Sequence, residues 1–250
     1  MNTYNSLINN LETLELHRFS ENIDNYLNMI ADGTKTALDA IYELTEKEIG
    51  FRKQQTIKGC VKVANFPFIK ELKEFDFSFQ PSIDKTKIMD LATLRFIENS
   101  ENIIFCGTPG VGKTNLAVSL GIEAARQRYC VYFITFQDLI SQLKKADSEN
   151  RLDSRIKWYC RYKLLIIDEL GYQKMDVNSA NLFFNLIAKR YEKSSTIITT
   201  NSPFSKWADI FQEPILTNAL LDRLLHHCSV ININGPSYRI KDQMQYMLEE

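Results

Sequence analysis

Apolar positions in the first sixty residues recur at helical spacing. Leu7, Leu11 and Leu14, then Ile23, Tyr26, Leu27 and Ile30, fall on single faces of a 3.6-residue repeat. From Tyr4 to about Val63 there is no proline and almost no β-branched alternation. The pattern predicts a small all-α module over residues 1–63, with breaks near Ser20 and at Asp32 and Gly33. The repeat then stops. Between 64 and 82, Pro67, Pro81, Phe75, Phe77 and Phe79 follow no period, which reads as a linker packed against a neighbouring domain. Over 83–250 the pattern changes again. Short apolar runs at 102–106, 130–135, 164–168, 196–200 and 229–233 alternate with helical stretches such as 115–128. Strands buried on both faces and separated by helices predict an α/β domain with a five-stranded parallel sheet.

Composition narrows the classes. At 250 residues, 44% hydrophobic and 24% charged, the chain has room for one substantial core and a smaller module. A net charge of -1 excludes a global basic field, so any nucleic-acid surface must be local. The five cysteines are odd in number and lack C-x-x-C spacing, which argues against both a disulfide framework and a zinc site and reads as buried thiols in a reducing cytoplasm. The first sixteen residues are polar and acidic, and no apolar run reaches the roughly 18 residues of a membrane span. The expectation is a cytoplasmic protein with no membrane partner.

Gly107-Thr108-Pro109-Gly110-Val111-Gly112-Lys113-Thr114 is a complete G-x-x-x-x-G-K-[ST] phosphate loop. Glycines let backbone N–H groups converge on phosphate oxygens, Lys113 puts a point charge on the β and γ phosphates, and Thr114 offers a hydroxyl to Mg2+. The loop joins an apolar run to a helical one that opens at Asn115, where the helix dipole favours anions. ATP and Mg2+ are the implied ligands. Fifty-five residues beyond Lys113, the run Leu164-Leu165-Ile166-Ile167 ends in Asp168 and Glu169. Strand C-termini in such sheets face the ligand crevice. Asp168 is expected to hold Mg2+ through water and Glu169 to orient or deprotonate the attacking water; the bland alternative is a pair of acids capping a buried strand. Asn201, at the tip of the next run, is either a sensor of the γ phosphate or a turn former before Ser202-Pro203. Arg223, on an apolar helix, is either a finger presented to a neighbour's ATP or a solvated edge paired with Asp222. His226 and His227 read as complements to a helix C-terminal dipole rather than metal ligands.

Two local basic stretches stand out. Residues 47–73 hold seven basic against two acidic side chains, a net of +5, including Arg52, Lys53, Lys58 and Lys62. Residues 140–163 hold seven against three, a net of +4, including Lys144, Lys145, Arg151, Arg155 and Lys157, with Trp158, Tyr159 and Tyr162 interleaved. Either could track a DNA backbone without reading bases, or be an ordinary solvated face.

The phosphate loop, the 164–172 stretch ending Asp168-Glu169-Leu170-Gly171-Tyr172, and the 182–187 run with Arg190-Tyr191-Glu192 carry a family resemblance. Thr200-Asn201 with Phe204 and Trp207, Leu221-Asp222-Arg223-Leu224-Leu225-His226-His227, and Ser237-Tyr238-Arg239 extend it. Together the chain resembles the IstB family, AAA+ P-loop ATPases encoded beside the transposase of bacterial insertion sequences and related to DnaC helicase loaders. The resemblance implies an ATPase that forms ATP- and DNA-promoted homo-oligomers on double-stranded DNA, remodels it, recruits or stimulates a partner transposase, and is reset by hydrolysis. It also implies a trans-acting role for Arg223, a nucleotide-proximal role for Arg239, and a DNA-channel helix within 140–163. Lys174 stands where the family usually has proline. Eleven residues after Arg239 are too few for the C-terminal helical lid of most AAA+ modules, so the site is expected to be completed by a neighbour. A replicative helicase loader is the alternative with the same chemistry. A non-hydrolysing nucleotide switch or a small-molecule kinase is the third reading, against which Glu169 and Asn201 argue for water as acceptor.

Overall fold

The structure, a computed structural model, describes residues 2–171 and 174–240. The chain divides into two compact units, Met1–Gly59 and Cys60–Glu250.

The first unit contains α1 (Thr3–Thr13), α2 (His17–Ala31) and most of α3 (Ala37–Val63). Ile23, Tyr26, Ala40 and Leu44 form its core. The break expected near Ser20 lies instead at residues 14–16, and Ser20 sits inside α2. Two features without a local sequence mark cause this. Glu15 takes a left-handed conformation (φ 54°), and the start of α2 is capped from far along the chain by the buried Glu48 carboxylate, which accepts the N–H groups of Arg18 and Phe19. Arg52 pairs with Glu48 and donates to the carbonyls of Leu14 and Glu15, closing the same corner.

The unit boundary falls inside α3, four residues before the expected one at 63. Residues 64–82 belong with the second unit: the Ala64 carbonyl accepts the Phe133 N–H at 2.8 Å, and Phe66, Leu72, Phe75 and Phe77 pack on its core. Then follow α4 (Lys85–Leu91), α5 (Arg95–Glu98), β1 (Asn102–Gly107), α6 (Lys113–Arg126), β2 (Val131–Thr135), α7 (Phe136–Ser148), α8 (Leu152–Cys160), β3 (Leu164–Leu170), α9 (Val177–Arg190), β4 (Ser195–Thr200), α10 (Trp207–Phe211), α11 (Pro214–Leu225) and β5 (Cys228–Ile233). The five strands are parallel in the order β2-β3-β4-β1-β5. Alternate residues face opposite sides. Ile103, Phe105, Phe133, Ile166 and Ile197 meet α6, while Ile104, Ile134, Ile167 and Ile198 share a core with Leu139, Phe183 and Trp207. Burial on both faces is why the strands read as unbroken apolar runs.

Arg190, at the end of α9, is 1% exposed. Its guanidinium donates to the carbonyls of Tyr159 and Tyr162, both at 2.9 Å, to the Ser195 carbonyl, and to Thr196 Oγ1 at 3.2 Å. It thereby clamps the end of α8 to the start of β4. Of the five cysteines, all free, only Cys106 is buried and Cys130 is exposed, so the expectation of uniformly buried thiols is corrected. No described helix is long and apolar enough to cross a membrane.

Candidate functional site

β1 delivers the chain to Gly107 and α6 begins at Lys113, so the glycine-rich turn is the strand-to-helix connection. All three of its glycines are required, Gly107 because a Cβ there would stand 2.2 Å from the Ile233 carbonyl oxygen. Gly110 (φ 84°) and Gly112 (φ 98°) are left-handed, and a Cβ would stand 2.0 Å from Ser237 Oγ at the first and 2.8 Å from the Phe75 ring at the second. Lys113 Nζ donates to the carbonyls of Gly107 and Thr108, each at 2.8 Å. Burial draws its pKa below the usual lysine range against the opposing pull of the Asp168 carboxylate.

Thr114 Oγ1 lies 2.9 Å from Asp168 Oδ1 and 3.1 Å from Oδ2, joining the loop to the tip of β3. Thr199, buried in β4, donates its hydroxyl to Asp168 Oδ1 and accepts the Glu169 N–H at 2.9 Å. One hydroxyl thus holds both acidic residues. The pairing of β3 with β4 slips between Ile167 and Leu170, where Asp168 and Glu169 of one strand stand against Thr199 alone of the other, and Glu169 at that bulge is left-handed (φ 64°). The bulge turns the Glu169 side chain out of the alternating pattern, and it is exposed where Asp168 is buried.

These groups line a cleft of about 450 Å3 that also includes Pro109, Val111, Asn115, Asn201 and Arg239, a volume suited to a small-molecule ligand. Its remaining wall is the aperiodic stretch before the sheet: Phe68, Lys70, Phe75 and Gln80. Gln80 Nε2 donates to the Pro236 carbonyl at 2.7 Å, anchoring the turn that leads to Arg239. The cleft fits a magnesium nucleotide. N–H groups opening α6 suit phosphate, and a hydroxyl beside a buried carboxylate supplies the hard oxygen donors that Mg2+ prefers.

Arg223 does not line this cleft. Its guanidinium lies 4.7 Å over the Phe184 ring and donates to the Ala219 carbonyl. The basic stretches divide into engaged and free side chains. Arg52 is committed to the α1–α2 corner, Lys144 pairs with Asp176 at the start of α9, Arg151 pairs with Glu149, and Arg155 lies over Trp158. Lys53, Lys58, Lys62, Lys145 and Lys157 are exposed, with no ion-pair partner among the described residues. The interleaved aromatics pack on one another around Tyr132, and Tyr159 is fully buried, so they form a core corner rather than free stacking surfaces. Lys174, at the position of the expected proline, borders a neighbouring cleft with Glu169 and Lys144; Tyr172 and residues 241–250, which bear on the expected absence of a lid, lie outside the described residues.

Sequence reasoning missed Thr199, Phe75 and Gln80. A threonine in a strand carries no motif, and the other two lie in a stretch without period.

The family model for the IstB-like ATP binding protein matches residues 9–246. The chain belongs to that family. The ATP-binding protein of insertion sequence IS232 from Bacillus thuringiensis subsp. berliner is 50% identical to this IstB-like chain over 241 residues, 96% of each. Among solved structures, the DnaC helicase loader matches at a TM-score of 0.50 and 24% identity, covering 68% of this chain and 96% of that one. DnaI matches at 0.56 and 18%, covering 70% and 93%. Both likenesses are of fold: the IstB-like chain shares with these two structures its parallel sheet and flanking helices.

Proposed function

We propose that this chain is a DNA-assembled ATPase that helps an insertion sequence move. ATP-bound copies would line up on double-stranded DNA with little base specificity, remodel it and recruit or stimulate the partner transposase, and hydrolysis would reset the assembly. The observation that carries the enzymatic part is the hydroxyl of Thr199, which holds Asp168 against Thr114 and Glu169 over the same cleft. The relationship to an insertion-sequence protein at 50% identity favours this reading over a helicase loader, for which only the fold argues.

The chain's own groups then have distinct tasks. Thr114 and Asp168 would hold Mg2+, which when bound would neutralise phosphate charge. Lys113 would leave the carbonyls of Gly107 and Thr108 for the phosphates. The Glu169 carboxylate would orient a water and take its proton as the water oxygen bonds to the γ phosphorus and the bridging P–O bond breaks. Asn201 would hydrogen-bond that water or the γ phosphate, and Arg239 would steady the nucleotide. Arg223, away from its own cleft, would act in the cleft of an adjacent subunit.

Two tests follow. Thr199→Val keeps the shape of the side chain and removes its hydroxyl. Turnover is expected to fall about 10–100-fold, the usual effect of losing an outer partner of a metal site, with a raised magnesium requirement and recovery in Thr199→Ser. Unchanged magnesium dependence in Thr199→Val would remove Thr199 from the site. For DNA, affinity for an arbitrary duplex should fall steeply with salt in ATP and be weak in ADP. Replacing Lys145 and Lys157 by alanine should lower the log–log salt slope by about one for each phosphate that is no longer neutralised. A slope untouched by this pair and by Lys58 with Lys62 would place DNA elsewhere.

A further inference from the structure

The end of the sheet opposite the phosphate loop carries a second cluster of chemistry. After α9 the chain turns through Tyr191 and Glu192 into β4, and after α11 it passes through His226 and His227 into β5. β4 and β5 lie on either side of β1. Asn102, the first residue of β1, holds both approaches. Its N–H donates to the His227 carbonyl at 2.7 Å, its Nδ2 to the Leu224 carbonyl at 3.2 Å, and its Oδ1 accepts the Thr196 N–H at 3.0 Å. Glu192 is left-handed (φ 55°), in a turn where the N–H groups of Lys193 and Ser194 both donate to the carbonyl of the clamped Arg190. The three side chains therefore leave a backbone that is fixed before any ligand arrives.

Glu192 Oε1 lies 3.6 Å from His226 Nδ1 and 3.6 Å from His227 Nε2. These separations are too long for a hydrogen bond to either ring. They are close to the edge of a ligand tetrahedron: donors about 2.0–2.1 Å from a tetrahedral ion stand roughly 3.4 Å apart. One donor atom from each residue lies within 4.8 Å of the other two. The Tyr191 hydroxyl is hydrogen-bonded to the same His226 Nδ1 at 2.7 Å, a bond that an ion held through this nitrogen would displace. Adjacent histidines alone read as a dipole complement; the carboxylate that changes the reading comes from 34 residues upstream.

We propose that Glu192, His226 and His227 bind a divalent transition-metal ion of the zinc class, separate from the nucleotide's magnesium. Two imidazoles and a carboxylate suit Zn2+, Co2+ or Ni2+, whereas Mg2+ selects oxygen donors. The six residues of β4 put this site about 20 Å from the phosphate-binding end of the sheet. An ion there joins the end of α9 to the end of α11, the helices that also meet through Phe184 and Arg223. Its consequence for turnover, a firmer seat for Arg223, rests on the finger role proposed above; metal binding itself does not.

The test uses the full chain, chelator-treated and free of nucleotide, carrying Cys130→Ser so that the exposed thiol does not compete. Zinc is titrated in excess magnesium by calorimetry. One ion per chain is expected, and Glu192→Gln and His227→Ala should each weaken binding by about tenfold or more. Zinc should raise the thermal midpoint of the parent and not of the variants. All three side chains are exposed, so the variants retain the fold. Equal zinc affinity in the parent and in a His226→Ala, His227→Ala double variant overturns the proposal. Binding that leaves ATP turnover unchanged supports the site and overturns its link to Arg223. Loss of turnover in Glu169→Gln with zinc binding intact keeps the two readings separate.

Discussion

Glu169→Gln is expected to lose ATP turnover by at least about 100-fold, in the range for removing a positioned general base, while ATP affinity stays within about twofold. The reason is geometric. Glutamine matches glutamate in size and can occupy the same bulged, left-handed position, and the bond that ties Glu169 to Thr199 runs through its backbone N–H. The change therefore alters the proton acceptor and leaves the cradle alone. Phosphate release and binding of a fluorescent ATP analogue, measured on the same preparation, separate the outcomes. Turnover that survives the substitution would make Glu169 a strand cap and end the hydrolytic mechanism.

Mixing two inactive variants should restore activity. Lys113→Ala subunits lack the charge that meets the phosphates, and Arg223→Ala subunits lack the proposed finger, whose counterparts in other phosphate-loop enzymes contribute about 10³–10⁵ in rate. In a head-to-tail assembly, a cleft is complete wherever an intact loop from one variant faces an intact arginine from the other. Random mixing makes about one interface in four complete, so an equimolar mixture on DNA should recover roughly a quarter of the parental rate. The position of Arg223 over Phe184 and outside its own cleft is what motivates the experiment. Mixed assemblies that remain silent would assign Arg223 to packing against α9.

Most of the sheet was legible because its strands are covered on both faces. Each of the five apolar runs lies within one or two residues of an observed strand, and the phosphate loop falls at the junction that its spacing demands. What stayed hidden depends on partners distant in sequence. The break between α1 and α2 is written in the backbone of Glu15 and in a cap from Glu48 on the start of α2, neither of which leaves a glycine, proline or local capping residue to read. Residues 66–80 have no period because they alternate between the contour of the cleft, lined by Phe68, Phe75 and Gln80, and the core beneath, where Phe66 and Phe77 pack. Thr199 is an ordinary strand residue until Asp168 and Glu169 are brought beside it. The basic stretches were visible as charge, but which members are spoken for by Asp176, Glu149 or the α1–α2 corner is a tertiary fact.

The clamp formed by Arg190 has a consequence for acid tolerance. Its acceptors are three carbonyls and a hydroxyl, none of which gains a proton in mild acid, and burial lowers its own pKa only to about 10. Ion pairs such as Lys144 with Asp176 dissolve once their carboxylates are protonated. At the corner where α8, α9 and β4 converge, the four bonds of Arg190 therefore persist in mild acid while the ion pair of Lys189 with Asp153 beside them is lost, so the guanidinium alone keeps the three elements tied together there.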